Sequence, residues 1–535
     1  MIRSRMFAPV ASAALCMMVL AAPVSAQQEF TTPAEDSGFT EYTPYDDMMA
    51  YLENLRASSP DMWLGTYGET HQGRPLPYAV FSRPQVSQPS EAWALGRPVI
   101  VFNANVHGGE RTLRESLLIL MRDLVTPGTE AWETLDDVVL VVAPQINPDG
   151  FEATDRGTRG NSWGIDMNRD WVKREQPALA NYAQNVADAW APHILVDGHN
   201  GGSFPYHITY QCSSHAQPDQ RLTQLCDERL FPRIDRDVEA AGYKSWYYTR
   251  GTRTRWEGGG YDARIGRNYN GFVNTIGILF ESPPWQEMQA GVEAGVEAFE
   301  AVLGYAAENP EDVMGVVETA RRETIEMGRN ADGEVVVEME YGPQPRTITY
   351  EIGVRNEDTG ELEALEVTND SLMTRPIALR TRPLPYAYVL PRDAVDAVAL
   401  LRRNSIMVEQ LTREVEIEVD SYVVEGVLFE RAYNHESAVR LELADEPVTR
   451  TVTLPPQTYV VRTGQMRGRL VAHMLEPETN DNVIYWNTMD AWLPFGQLLN
   501  PEEEGGLGFQ GQPGPPLAPI DKLMTPMGLP LRIVP

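Results

Sequence analysis

The sequence predicts an α/β layered fold over roughly residues 39–307, followed by a smaller β-rich part. Two observations carry this. Short apolar runs alternate with stretches of helical period from about Phe39 to Ala307, and period-two patterning takes over beyond Pro310. Strands that alternate with helices specify helices packed on a sheet, because each element has one apolar face to bury.

The elements follow in order. Pro98–Val106 (PVIVFNANV) is a β-branched run that reads as a buried strand. Arg111–Val125 sets Leu113, Leu117, Leu118, Met121 and Leu124 at helical spacing. Asp137–Pro144 (DVVLVVAP) is a second strand, Pro177–Trp190 a second helix and His193–Asp197 (HILVD) a third strand. A helix near Asp219–Ala241, a strand at Thr275–Glu281 (TIGILFE) and a helix at Gln286–Tyr305 complete the first part. In the second, Glu334–Tyr341, Thr347–Val354 and Glu414–Val419 read as strands, with one helix at Arg392–Arg403. The Gly- and Pro-rich stretch 496–535 reads as an irregular tail. The expected divisions are therefore 1–26, 27–308, 309–495 and 496–535.

Composition bounds the function. A length of 535 residues corresponds to two or three domains, at roughly 100–200 residues each. An apolar content of 42% excludes a wholly disordered chain. With 44 Lys+Arg against 76 Asp+Glu, the net charge of −32 argues against a nucleic-acid partner or an anionic membrane surface. Three Cys exclude a disulfide scaffold and all-Cys zinc modules. Residues 1–26 read as a secretory signal: Arg3 and Arg5, an apolar stretch from Ala11 to Ala22, then Val24-Ser25-Ala26. The chain is thus expected to be exported, to a periplasm or outside the cell, with no membrane span. Cys16 lies in the signal, and the sequence leaves open whether Cys212 and Cys226 pair.

The chemistry gathers at strand ends. His107 and Glu110 follow the first strand in NVHGGE, and His199 follows the third in LVDGHNGG. Two His and one carboxylate form a three-ligand set for catalytic zinc. In open α/β sheets, ligands bind beyond the carboxyl ends of strands. Glu281 ends a fourth apolar run, where a carboxylate is costly unless paired or functional. It is a candidate general base. Asn168-Arg169 sets an amide beside a guanidinium suited to a carboxylate, and Asp166 is a candidate to orient a ligand imidazole. A second HxxE, His473 to Glu476, has no later His and reads as a chance match.

Taken together, His107-Gly-Gly-Glu110, the Asn147-Pro148-Asp149-Gly150 turn, Gly164-x-Asp166-x-Asn168-Arg169-Asp170-Trp171, Asp197-Gly-His199 and Phe280-Glu281 resemble the zinc metallocarboxypeptidase family, the carboxypeptidase A-like peptidases, over roughly residues 40–305. The resemblance implies a mixed eight-stranded sheet with helices on both faces for residues 27–308, with the β-rich part as an accessory domain. It implies one Zn2+ per chain held by His107, Glu110 and His199, and Asp166 hydrogen-bonded to His107. Asn168 and Arg169 would grip a peptide's free C-terminal carboxylate. The implied activity is hydrolysis of the C-terminal peptide bond by a zinc-activated water, with Glu281 as general base and acid. Arg159 and Arg156 are candidates for polarising the scissile carbonyl, and Arg159 is taken as the catalytic one. Tyr247, Tyr248 and Tyr261 are candidates to close over the substrate. The pocket residue should lie in Gly258–Arg264: Tyr261 suggests an aromatic or apolar preference, Asp262 or Glu257 a basic one. Gly109 stands where the family often has an Arg. Two other readings remain: an amide hydrolase of murein stem peptides on the same fold, and a non-catalytic peptide-binding protein.

Overall fold

The computed structural model describes residues 30–251, 255–345, 347–369, 371–495, 498 and 515–534. The expected signal, 1–26, lies outside them. The first part contributes strands β1 (Met62–Glu69), β2 (Pro75–Phe81), β3 (Val99–Ala104), β4 (Val139–Ala143), β5 (Ile194–His199), β6 (Ile208–Cys212), β7 (Ser245–Tyr247), β8 (Thr249–Gly251), β9 (Trp256–Gly258) and β10 (Ile276–Glu281). Eight of them form one mixed sheet in the order β1-β2-β4-β3-β5-β10-β6-β7. Its centre, β4-β3-β5-β10, is parallel.

Every residue of β3, β4, β5 and β10 is buried. Parallel strands covered on both faces read as continuous apolar runs, which is why these were visible in the sequence. Alternate side chains serve opposite faces. Ile100 and Phe102 pack with Leu117, Phe280 and Phe299, under the helices Thr112–Asp123 and Met288–Glu308. Val99 and Val101 pack on the other side with Leu179, Tyr182 and Trp190, under the helix beginning Pro177–Tyr182. The expected eight-stranded sheet with helices on both faces is thus found. Because β3, β5 and β10 run in parallel, their carboxyl ends share one edge, where Glu281 stands opposite His199 in register.

The second part opens with a helix the strand pattern did not anticipate, Pro310–Asn330, with Glu311 and Asp312 in its first turn. Then come β11 (Glu334–Pro343), β12 (Ile348–Arg355), β13 (Leu362–Asn369), β14 (Leu372–Pro383), β15 (Ala387–Leu390), β16 (Glu409–Leu411), β17 (Val415–Ala432), β18 (His435–Leu443), β19 (Val448–Leu454), β20 (Tyr459–Arg462), β21 (Leu517–Leu523) and β22 (Leu531–Ile533). β11 and β14 join β9 and β8 in a four-stranded sheet, so the two parts share a sheet. The larger sheet runs β18-β17-β21-β15-β20-β16-β22, with β19 on the first half of β17.

Two expectations are corrected here. Residues 517–523, expected in an irregular tail, form β21 between β17 and β15. Alternate burial of Ala518, Ile520 and Lys522 drives this. The expected boundary at 308–309 divides sequence patterns but not cores. Val313, Val317 and Ala320 pack with Phe299 and Val302, and Tyr388, Leu401 and Tyr422 belong to the cluster of Trp171 and Tyr269. Cys212 and Cys226, left open by the sequence, form a disulfide. Among the described residues no helix is long and apolar enough to cross a membrane.

Candidate active site

Three donors converge at the carboxyl edge of the sheet. The Nδ1 atoms of His107 and His199 are 3.1 Å apart. Glu110 Oε2 lies 2.9 Å from the first and 2.7 Å from the second. The three donor atoms fall within 4.8 Å of one another, and no other such group occurs among the described residues. Donors around a single tetrahedral zinc are separated by roughly 3.3 Å, given zinc–nitrogen bonds of roughly 2.0–2.1 Å. Two imidazoles and a carboxylate therefore fit zinc in both chemistry and spacing.

The remaining imidazole nitrogens are committed elsewhere. His107 Nε2 donates to Asp166 Oδ1 at 2.9 Å, and His199 Nε2 donates to Asp197 Oδ2 at 2.9 Å. An ionised carboxylate only accepts, so each Nε2 keeps its proton and, in the neutral imidazole that a metal requires, each Nδ1 presents a lone pair toward the cluster. Burial by itself would raise the Asp166 carboxyl. The hydrogen bond from His107 and the charges of His107 and Arg159 outweigh it and hold the group well below the usual carboxylate range. Burial likewise disfavours the imidazolium of His199, but Asp197 and Glu110 reverse the balance and hold it well above its usual value. His107 is raised in the same sense, against burial, by Glu110 and Asp166.

The motif glycines have a steric cause. A Cβ on Gly108 would stand 2.1 Å from the Gly150 carbonyl carbon, so the HGGE turn and the NPDG turn touch backbone to backbone. Asn147 Nδ2 donates to the carbonyls of Val106 and Gly160, tying both turns to the residue that follows Arg159. Asn105, at φ +58°, donates to the carbonyls of His107 and Glu110 and closes the ligand turn from inside.

Glu281 lies in the same cleft, about 510 Å³ in volume, with its carboxylate over Gly201. A Cβ on Gly201 would come within 2.4 Å of Glu281 Oε2. Burial pushes the Glu281 carboxyl up to about 7, Glu110 adding to the effect and His199 opposing it. Arg159 Nη1 lies 3.2 Å from Glu110 Oε1, and Arg159 Nε donates to Asp166 Oδ2 at 2.9 Å. Arg169 lines the cleft and donates to the Asn168 carbonyl. The Asn168 amide sits 3.2 Å from His199 Nε2 and accepts from the Gly266 N–H. His107, Glu110, Arg159, Asn168, Arg169, His199 and Glu281 thus border one cavity, with Asp166 behind it.

Other expected residues fall elsewhere. Tyr261 does not line the cleft: it packs edge-on against Tyr341 beside a separate pocket. Asn268 donates to the carbonyls of Gly260 and Asp262, which turns the chain so that backbone faces the cavity. Tyr248 lines the cleft, whereas Arg156 is exposed outside it. Asp262 accepts from Asn480, and Glu257 pairs with Arg255. His473 and Glu476 are fully buried with separate partners: His473 lies against Phe272, and Glu476 accepts from Tyr388 and Lys522.

Sequence reasoning quoted Asp197 only within a motif and gave no role to it, to Gly201 or to Arg267. A signal existed for Asp197, which stands two residues before His199 on a strand and so shares its face. It also missed the β17–β18 turn of the second part. Asn434 there donates to the Asp166 carbonyl at 2.8 Å, and the Tyr433 ring lies 5.3 Å from the Arg169 guanidinium.

A mixed α/β sheet with a carboxylate-backed His–Glu–His triad at its strand ends defines the class: a metalloenzyme. The comparisons narrow it. A family model described as zinc carboxypeptidase matches residues 48–218. Carboxypeptidase 2 of Trichophyton rubrum is 26% identical over 87% of this chain and 89% of its own length. Carboxypeptidase 2 of Trichophyton equinum is 26% identical over 85% of this chain and 86% of its own. A solved metallo-carboxypeptidase from Pseudomonas aeruginosa is 20% identical and covers 51% of this chain and 71% of its own, at TM-score 0.40. Residues 48–218 thus match the zinc carboxypeptidase family, and most of the chain is similar in sequence to carboxypeptidases.

Proposed function

We propose that the enzyme hydrolyses the C-terminal bond of peptides or proteins that carry a free terminal carboxylate, with Glu281 as general base. The observation that carries this is Glu281 itself: a buried carboxyl, raised to about 7, in the same cleft as the triad. His107, Glu110 and His199 would hold zinc, which when bound supplies Lewis acidity to the attacking water and the scissile carbonyl. Glu281 takes the proton of that water and delivers it to the departing amine. Asp166 and Asp197 keep the ligand imidazoles in one tautomer. Arg169, beside Asn168, grips the terminal carboxylate, and Arg159 attends the carbonyl oxygen as charge develops on it. Export through residues 1–26 belongs to the same proposal and is checked by sequencing the N-terminus of the mature protein.

The test is Glu281→Gln. Zinc stoichiometry should hold while release of C-terminal residues from a mixed peptide library falls on the order of 10³-fold, the usual scale of general acid–base catalysis. Full activity in that variant would sink the mechanism. Turnover of purified muropeptides alone would move the substrate to murein stem peptides.

A further inference from the structure

The side chains expected to set preference face away from the cavity, and a different one borders it. Arg267 is only 4% exposed, yet it lines the cleft beside Ile265 and the Gly258–Gly260 backbone. We propose that Arg267 selects the substrate's C-terminal side chain, and that it selects a carboxylate, glutamate or aspartate. The proposal rests on the carboxypeptidase reading above and names the substrate class of that site.

The partners of Arg267 are the first argument. Its guanidinium donates to the Gly260 carbonyl and meets the Tyr341 hydroxyl, both neutral oxygens, and its Nε has no partner. Among the described residues no carboxylate forms an ion pair with it; the Glu281 carboxyl of the same cleft attracts it only from beyond ion-pair distance. Three other buried arginines are neutralised, Arg114 by Glu115 at 2.7 Å, Arg174 by Asp188 at 2.6 Å and Arg264 by Asp481 at 3.0 Å, whereas Arg111 is bound by backbone carbonyls and lies outside the cleft. A buried guanidinium without a carboxylate in contact is costly. A ligand that brings the missing carboxylate removes that cost on binding.

The alternatives are the second argument. A lysine or arginine side chain would meet Arg267 with no acid to receive it beyond the catalytic Glu281 and the ligand Glu110, since Asp262 and Glu257 are engaged outside the cavity. An apolar side chain would cover the guanidinium and leave it without a contacting carboxylate. Arg159 already has Glu110 and Asp166, and Arg169 is the cation for the terminal carboxylate. Arg267 is therefore the cation left for a second anion. Its fork is held by Tyr341 of β11, whose hydroxyl also donates to the Gly259 carbonyl, and a fixed fork suits bidentate carboxylate recognition.

The experiment uses the full zinc-loaded chain and blocked tripeptides that differ only in the last residue: Glu, Asp, Gln, Leu or Lys. Glutamate should exceed glutamine in kcat/KM on the order of 100-fold, since a site built around a charged hydrogen bond rejects the analogue lacking it. Arg267→Met should keep its zinc and collapse the Glu-to-Gln ratio toward one, and Arg267→Lys should restore part of it. Titration calorimetry should show free glutamate binding the wild type more tightly than free glutamine, and equally weakly in Arg267→Met. A wild type that prefers Leu or Lys overturns the proposal. So does an Arg267→Met variant that loses every substrate by the same factor, because Arg267 would then serve the terminal carboxylate or the fold. If the Met variant fails to fold, Arg267→Lys and the wild-type calorimetry decide. Loss of release from every peptide by the zinc-loaded wild type defeats the carboxypeptidase reading itself, a result distinct from the wrong preference.

Discussion

The triad and the pocket wall border one cavity but are built in opposite ways. His199 and Glu281 sit on adjacent strands of one sheet, His107 and Glu110 follow a third, and carboxylates stand directly behind both imidazoles. The wall is a glycine turn whose position depends on side chains from other elements: Gln211 from β6, Tyr341 from β11 and Asn268. The first arrangement fixes the chemistry within a rigid parallel sheet. The second leaves the shape of the pocket to contacts made across the molecule, where it can change without disturbing the metal ligands.

The largest effect should come from the triad. His199→Ala should lose zinc and bring turnover to background, as should chelation; a variant that keeps one zinc per chain would break the comparison. Asp197→Asn should weaken zinc affinity roughly 10–100-fold, the usual effect of losing a carboxylate behind a ligand histidine. Competition titration with a chromophoric chelator checks it. Acid should act on the same region. Both ligand histidines are held above their ordinary pKa, so protons compete for Nδ1 before the pH falls to the usual imidazole value. Zinc retained after dialysis should therefore drop steadily from pH 8 to pH 5, and equal retention at both ends would refute it.

Variants away from the triad should be gentler and differ in kind. Tyr341→Phe removes a hydroxyl worth roughly 1 kcal/mol, so KM should rise about three- to tenfold with kcat less affected. Tyr433→Ala removes an aromatic face from Arg169, worth roughly 0.5–1 kcal/mol at an exposed site, for a KM change of about two- to fivefold. Both should hold zinc as the wild type does. Zinc loss in either would mean that the two regions are not separable.

The same contrast explains what could be read from the chain. His107, Glu110, His199 and Glu281 each end or closely follow an apolar run, so local patterning exposed them together with the central strands. Arg267 was not legible because its meaning lies in the absence of an ion-pair partner. Arg264, three residues earlier, looks the same in sequence, and only Asp481, brought up from the second part, tells them apart. Tyr261 misled because a glycine turn does not announce which way the next side chain leaves. β21 was hidden by the Gly/Pro run before it, and its place depends on β17 and β15, which are far away in sequence.

That strand has a further consequence. β21 fills the middle of the larger sheet, so β17 and β15 lack their shared neighbour until residue 523 has been synthesised. The region holding Tyr433 and Asn434 is then completed late, by a pairing of long sequence separation, which is slow to form and leaves strand edges open meanwhile. A nascent chain that already carries all three metal ligands would still await the segment that docks against Asp166. Maturation of the cleft is thereby tied to completion of a distant sheet rather than to the appearance of the ligands.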